Sequence, residues 1–209
     1  MGTNSIKIAA DNNGKCWVGF SEVHGSLMTD LKAEPFAAAN AKGERELAAF
    51  LASLRREKIE RPVIYIGAGT CGLGAGAAKT IDAARDYLSR KNISADIVEA
   101  GCNGMCSDEP IVDIQVPGKN RVSFGSIAAD KVEALFDAVL KNNIIPEDLL
   151  LGQYRTTGSE AWEKVPFLED HPFLKKQVRV VLALSGIIDP GNINEYIAQG
   201  GYSSIARIL

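Results

Sequence analysis

In the central region of the chain, residues 61–143, the first half alternates between short apolar runs and longer amphipathic stretches. Residues 63–66 form the apolar run VIYI, closed by the glycine-rich sequence GAGTCGLGAG, which predicts a buried strand ending in a tight loop. Residues 80–90 carry apolar side chains at helical spacing, so the loop is predicted to open a helix. Residues 93–99 read as a second strand. This half therefore predicts a strand–helix–strand unit.

The second half of the central region has a different pattern. Residues 111–116 predict a third strand, and Pro117-Gly118-Lys119-Asn120 predicts a turn into a fourth strand at residues 121–124. Residues 128–140 carry an apolar stripe at helical spacing and predict a helix. The order βαβ followed by ββα is the plan of a thioredoxin-like α/β domain.

The flanking sequences predict less regular structure. At the N-terminal side, residues 6–20 predict a hairpin around an Asn-Gly turn, and residues 35–58 predict a helix. From residue 144 to 172, prolines and glycines without a sustained period suggest an extended arm that lies on a partner. Order is then expected to return, with a helical pattern after residue 189.

The three predicted parts follow from these patterns. They are an N-terminal extension (residues 1–60), a thioredoxin-like domain (61–143), and an extended arm plus helices leading to a flavin-binding domain or partner (144–209).

Composition narrows the function by exclusion. The formal net charge of −3 over 209 residues gives no basic field for nucleic acid. Residues 1–15 lack the apolar core of a signal peptide, and the longest apolar stretch, residues 178–188, is too short to span a bilayer. We therefore expect a cytoplasmic protein, in which four cysteines are more often thiols or metal ligands than disulfides.

Three of these cysteines lie in loops that the predicted sheet brings together. Cys102 and Cys106 flank the sequence NGM after the second strand, where Gly101 and Gly104 give the backbone freedom to turn. Cys71 lies in the loop after the first strand. Since the first two strands of such a sheet are neighbours and run in parallel, both loops leave at the same edge. The three thiols are therefore predicted to converge as ligands of iron.

At this point the chain resembles a known family, the thioredoxin-like [2Fe-2S] ferredoxin region of the NADH-oxidising flavoprotein subunit in NAD-linked hydrogenases, formate dehydrogenases and complex I relatives. The resemblance covers residues 61–209 and rests on RPVIYIGAGTCGLGAGA, GCNGMCSDEPIVDIQVPGKNRVSFG and HPFLKKQVRVVLALSGIIDPGNINEYIAQGGYSSIARIL. It implies an electron-transfer or docking module in an oligomeric redox complex. It also implies that FMN and NAD bind to a partner or to a domain outside this chain.

The chain departs from the family pattern at one ligand. Members that bind the cluster have C-x4-C in the first loop, but Ile66 stands five residues before Cys71. Cys16, in the N-terminal hairpin, is the remaining cysteine and a weak candidate for a fourth ligand. Two functions of different class therefore remain open: a module that transfers electrons through a [2Fe-2S] cluster, and a cofactor-free scaffold with a degenerate ferredoxin domain.

A dinucleotide site is a third interpretation of the same loop. Gly67, Gly69 and Gly72 fit G-x-G-x-x-G between a strand and a helix, and Glu99 ends the next strand as a ribose-binding acid would. Against this, the third and fourth strands predict a hairpin where a dinucleotide fold needs another crossover helix.

No catalytic residue is assigned, because His24 and His171 are isolated from any nucleophile or carboxylate pattern.

Overall fold

The structure is a computed structural model that describes residues 6–10, 16–20, 41–156 and 158–202, with side chains from residue 48 onward. The chain divides into two units, one formed by residues 1–56 and 192–209 and the other by residues 57–191. None of the helices in the described ranges is long and apolar enough to cross a membrane.

The first unit contains the predicted hairpin strands and two helices. Strands β1 (Ile6–Ala10) and β2 (Cys16–Phe20) pair antiparallel, and the turn between them lies outside the described residues. Helix α1 spans Ala41–Leu54, within the predicted range. The short helix near the C-terminus, which we number α5, spans Ile193–Ala198, and its Asn192 side chain caps the first turn by accepting a hydrogen bond from the Asn194 N–H.

The second unit carries the central α/β pattern. Its elements are β3 (Val63–Gly67), α2 (Thr70–Ala75), α3 (Ala77–Lys91), β4 (Asp96–Ala100), β5 (Val112–Gln115), β6 (Val122–Phe124), α4 (Val132–Phe136) and β7 (Leu150–Gln153). Short 3-10 turns cover Cys106–Asp108, Ala129–Lys131 and Leu168–Asp170, and a π-helical turn, Asp137–Lys141, continues α4.

The sheet confirms the predicted thioredoxin-like plan. Its strand order is β4-β3-β5-β6-β7. Strands β3 and β4 are parallel, with Gly67 opposite Ala100, whereas β5 pairs antiparallel with β3, and β6 with β5. A parallel pair joined by helices, followed by an antiparallel hairpin and a helix, is the βαβ–ββα arrangement that the sequence predicts.

Alternation along the strands places one set of side chains under the helices. Ile64, Ile66, Ile114 and Phe124 are fully buried and pack with apolar residues of α3 and α4. Burying such side chains is worth roughly 1.5–3 kcal/mol each, which makes this layer the main stabilising core. Tyr87 of α3 extends it through an edge-to-face contact with Phe136.

Two local features differ from the sequence prediction. Strand β7 forms within the predicted arm and pairs antiparallel with β6, so part of the arm completes the sheet of its own domain. The first loop holds a short helix, α2, where a tight glycine loop is predicted. Four glycines between residues 67 and 74 lower the helical propensity, but tertiary contacts override this local preference.

Candidate metal centre

Cys71 lies in the first turn of α2, directly after the C-terminal end of β3. The chain leaves β3 with the Ala68 N–H donating to the Ala100 carbonyl (2.8 Å), which keeps the two strand ends side by side. The thiol is exposed. Cys71 therefore projects from the same edge of the sheet at which β4 ends.

Cys102 and Cys106 lie in the loop that follows β4. Asn103 accepts the Met105 N–H through its Oδ1 (3.0 Å), and Gly104 has a φ of +99°, a left-handed conformation that suits glycine. The Gly104 N–H points at the Cys102 Sγ at 3.3 Å. The loop thus presents one backbone N–H to sulfur, the kind of hydrogen bond that tunes the potential of an iron–sulfur site.

The structure brings the three predicted ligands together. The Sγ atoms of Cys71, Cys102 and Cys106 all lie within 4.8 Å of one another, and those of Cys102 and Cys106 are 3.6 Å apart. Burial raises the pKa of the Cys102 thiol, although the Gly104 N–H opposes this. A bound cation would favour the thiolate, since a coordinating thiol is deprotonated.

The glycines of the first loop have a packing role around these thiols. A Cβ on Gly69 would lie 3.2 Å from the Cys102 Cβ, and a Cβ on Gly72 would lie 2.0 Å from the Gly67 carbonyl oxygen. A Cβ on Gly67 would lie 2.6 Å from a carboxylate oxygen of Glu109. The G-x-G-x-x-G pattern is therefore explained by close approach within the domain, without a dinucleotide.

Glu109 is a buried acid that the sequence pattern does not single out. It is only 8% exposed and precedes a cis peptide bond to Pro110. Its Oε2 accepts the Ile111 N–H at 2.8 Å, while its Oε1 has no hydrogen-bond partner among the described residues. Burial raises the pKa of this carboxyl, and its negative charge helps to raise the pKa of Cys102.

A buried arginine secures the chain segment that lies against the Cys102 loop. Arg121 stacks between the rings of Tyr65 and Tyr154 at 3.5 and 4.6 Å, and its guanidinium donates to Asp113. It also donates to the Gly186 carbonyl at 2.6 Å. Ser185, which precedes Gly186 in the chain, donates its hydroxyl to the Cys102 carbonyl at 2.7 Å. No sequence motif signals this network.

The remaining candidates lie apart from the three thiols. The Glu99 carboxylate forms a surface ion pair with Arg85 at 2.9 Å. This pairing accounts for Glu99 without the ribose-binding role of the dinucleotide interpretation. The His171 Nδ1 accepts the Phe173 N–H at 3.3 Å in a turn. Cys16 belongs to β2, but its side chain and the whole of His24 lie outside the described residues.

The sheet and the converging thiols define a thioredoxin-like module with a surface thiol cluster. No family model matches the chain. A curated relative is the NADP-reducing hydrogenase subunit HndB of Solidesulfovibrio fructosivorans, 26% identical over 76 residues, which are 36% of this chain and 60% of the relative. The resemblance predicted from the sequence is confirmed by this relative and by the fold.

Solved structures with a similar fold include two of the thioredoxin-like [2Fe-2S] ferredoxin from Aquifex aeolicus. One is 16% identical with a TM-score of 0.40 and covers 49% of this chain and 100% of the ferredoxin. The wild-type ferredoxin at 1.5 Å resolution is 15% identical with a TM-score of 0.38, and the match covers 44% of this chain and 98% of the ferredoxin.

Proposed function

We propose that this chain is an electron-transfer module of a cytoplasmic NADH-linked oxidoreductase complex, and that Cys71, Cys102 and Cys106 bind a [2Fe-2S] cluster in it. The observation that carries the proposal is the convergence of three thiols within 4.8 Å at one edge of the sheet. The relationship to a hydrogenase subunit supports the same class of function. FMN and NAD belong to partner subunits in this proposal.

The donor set fits the group in its chemistry. Thiolates are the ligands of [2Fe-2S] clusters, and hydrogen bonds from loop N–H groups to sulfur tune their potentials. Cys71 and Cys106 are exposed, so an electron donor or acceptor can approach the centre closely. When bound, the cluster would supply one-electron chemistry, and the loops would hold it and limit its contact with water. Such a cluster takes four ligands, of which these thiols are three.

Anaerobic purification tests this proposal directly. Iron and sulfide at about two each per chain, with an EPR signal on reduction, are expected of the wild-type protein. Cys106→Ser should lose most of the iron. Ser107→Ala is the control, because it changes an exposed residue beside Cys106 whose hydroxyl bonds to Asp108 and leaves all the cysteines in place. Colourless, iron-free protein under these conditions would contradict the proposal.

A cofactor-free scaffold is the second candidate, favoured by a separate observation. Residues 178–182 expose several large apolar side chains, with Val178 and Val181 more than 90% accessible. Such a patch marks a protein contact. In this alternative, a variant with all three thiols replaced by serine still binds the NADH-oxidising subunit, whereas Val181→Asp does not.

A further inference from the structure

Two glycines of the first loop, Gly67 and Gly72, border the buried carboxylate of Glu109 next to the three thiols. The Glu109 carboxylate fills the room left by Gly67 and Gly72, the latter being the immediate neighbour of Cys71. It also lies close enough to Cys102 for their charges to interact. The acid is therefore adjacent to the backbone of both loops that carry the thiols.

The two oxygens of the Glu109 carboxylate have different surroundings. Oε2 is held by the Ile111 N–H, which fixes the side chain, and Oε1 is buried without a hydrogen-bond partner among the described residues. Leaving a buried polar atom unpaired is unfavourable, and more so when the atom is charged. An oxygen that is buried, oriented and unpaired next to metal-binding groups is suited to a metal, because a cation offsets the cost of burial.

The three thiols are one donor short of the four that a [2Fe-2S] cluster takes. We infer that Glu109 Oε1 supplies this donor, giving a set of three thiolates and one carboxylate with Cys71, Cys102 and Cys106. The inference rests on the proposed function, since it concerns the same cluster. An oxygen ligand in place of sulfur would alter the charge-transfer spectrum and the potential of the centre.

A bound water is the competing partner for the same oxygen. A cavity of about 10 Å³ lies beside Glu109 and Asp113, and the Asp113 Oδ1 is also unpaired. That volume matches a single water. If water alone satisfies Oε1, removing the charge of Glu109 leaves iron binding unchanged, so the two explanations predict different results.

Substitution of Glu109 in the full chain, purified without oxygen and reconstituted with ferrous iron and sulfide, tests the inference. Glu109→Gln keeps the shape and removes the charged ligand, so we expect most of the iron to be lost, a larger effect than the loss of about 10–100-fold that changing an outer-shell partner causes. Glu109→Cys should retain iron with a changed visible and EPR spectrum, because it offers a thiolate. Glu160→Gln is the control, since it removes one exposed acid that pairs with Lys119 in the β5–β6 turn and not beside the thiols.

The outcomes separate this inference from the proposed function. Iron bound equally by the wild type and Glu109→Gln overturns the carboxylate ligand and leaves the cluster standing. A wild type that takes up no iron overturns both. If Glu109→Gln fails to fold, judged by circular dichroism, Glu109→Cys decides: a spectrum identical to that of the wild type overturns the inference, and an altered spectrum supports it.

Discussion

The two faces of the central sheet are buried by different means. On one face, Ile64, Ile114 and Phe124 pack under α3 and α4 with apolar neighbours. On the other, Asp113 and Gln115 are as well buried as the apolar residues that alternate with them on β5. The first face is stabilised by area removed from water, which needs no particular orientation. The second depends on directional pairing of buried polar groups, as between Arg121 and Asp113.

The polar face is also the face that is linked to the thiol site. Its Arg121 joins Asp113 to the Gly186 carbonyl, and Ser185 then bonds to the Cys102 carbonyl. Hydrogen bonds carry this constraint because each one requires a particular donor and acceptor position. We conclude that the helix-covered face provides stability, whereas the opposite face fixes the Cys102 loop in place.

The largest effect is expected from breaking the buried pair on the polar face. Asp113→Ala leaves the Arg121 charge buried without its carboxylate, and we expect a loss of about 3–5 kcal/mol in the free energy of unfolding, measured in urea. The double change Asp113→Leu with Arg121→Met should recover most of this loss, because both charges are removed. A double variant less stable than the single one would contradict this account.

The adjacent residue on the same strand tests the apolar face. Ile114→Ala creates a cavity under the helices and should cost about 2–5 kcal/mol in urea unfolding. Ile114→Val, which removes one methylene, is the matched control and should cost about 0.5–1.5 kcal/mol. No second substitution on the polar face should rescue Ile114→Ala, and such a rescue would show that the two faces are not independent.

Asp113 and Ile114, side by side on β5, also show how far the sequence could predict the fold. The alternation of Val112, Asp113, Ile114 and Gln115 predicts a strand, and the parallel neighbours predict the convergence of the thiols. The segment around Gly186 that packs on the polar face could not be predicted, because Arg121 donates to the Gly186 carbonyl, 65 residues later in the chain. Glu109 was missed for a similar reason: locally its sequence reads as a turn, and its burial comes from glycines in another loop.

A smaller effect is expected from a single hydrogen bond at the edge of the apolar face. The buried Tyr87 donates its hydroxyl to Asp137 Oδ1 at 2.6 Å, tying α3 to the π-helical turn. Tyr87→Phe keeps the ring contact with Phe136 and loses this bond together with the interaction of the hydroxyl with Lys141, so we expect a loss of about 1 kcal/mol in urea unfolding. A loss as large as that of Ile114→Ala would mean that the hydroxyl organises the whole helix pair.

The smallest effect is expected at alkaline pH, where the free energy of unfolding depends on the ionisation of Tyr154 on the polar face. Burial raises the pKa of Tyr154 above its ordinary value of 10.0, and the charge of Asp113 adds to the rise. The folded state therefore keeps the phenol proton at a pH where the unfolded chain releases it. The stability that this provides is complete below the ordinary pKa and falls as the pH rises above it.

Urea unfolding of the wild type and of Tyr154→Phe at neutral and alkaline pH measures this contribution. Tyr154→Phe lacks the titrating hydroxyl, so its free energy of unfolding should decline less steeply above the ordinary tyrosine pKa than that of the wild type. Tyr196→Phe, at a tyrosine of the other unit that is 42% exposed, is the control and should keep the wild-type slope. Equal slopes for the wild type and Tyr154→Phe would show that the phenol is accessible to water, and that the cover over the polar face opens at alkaline pH before the domain unfolds.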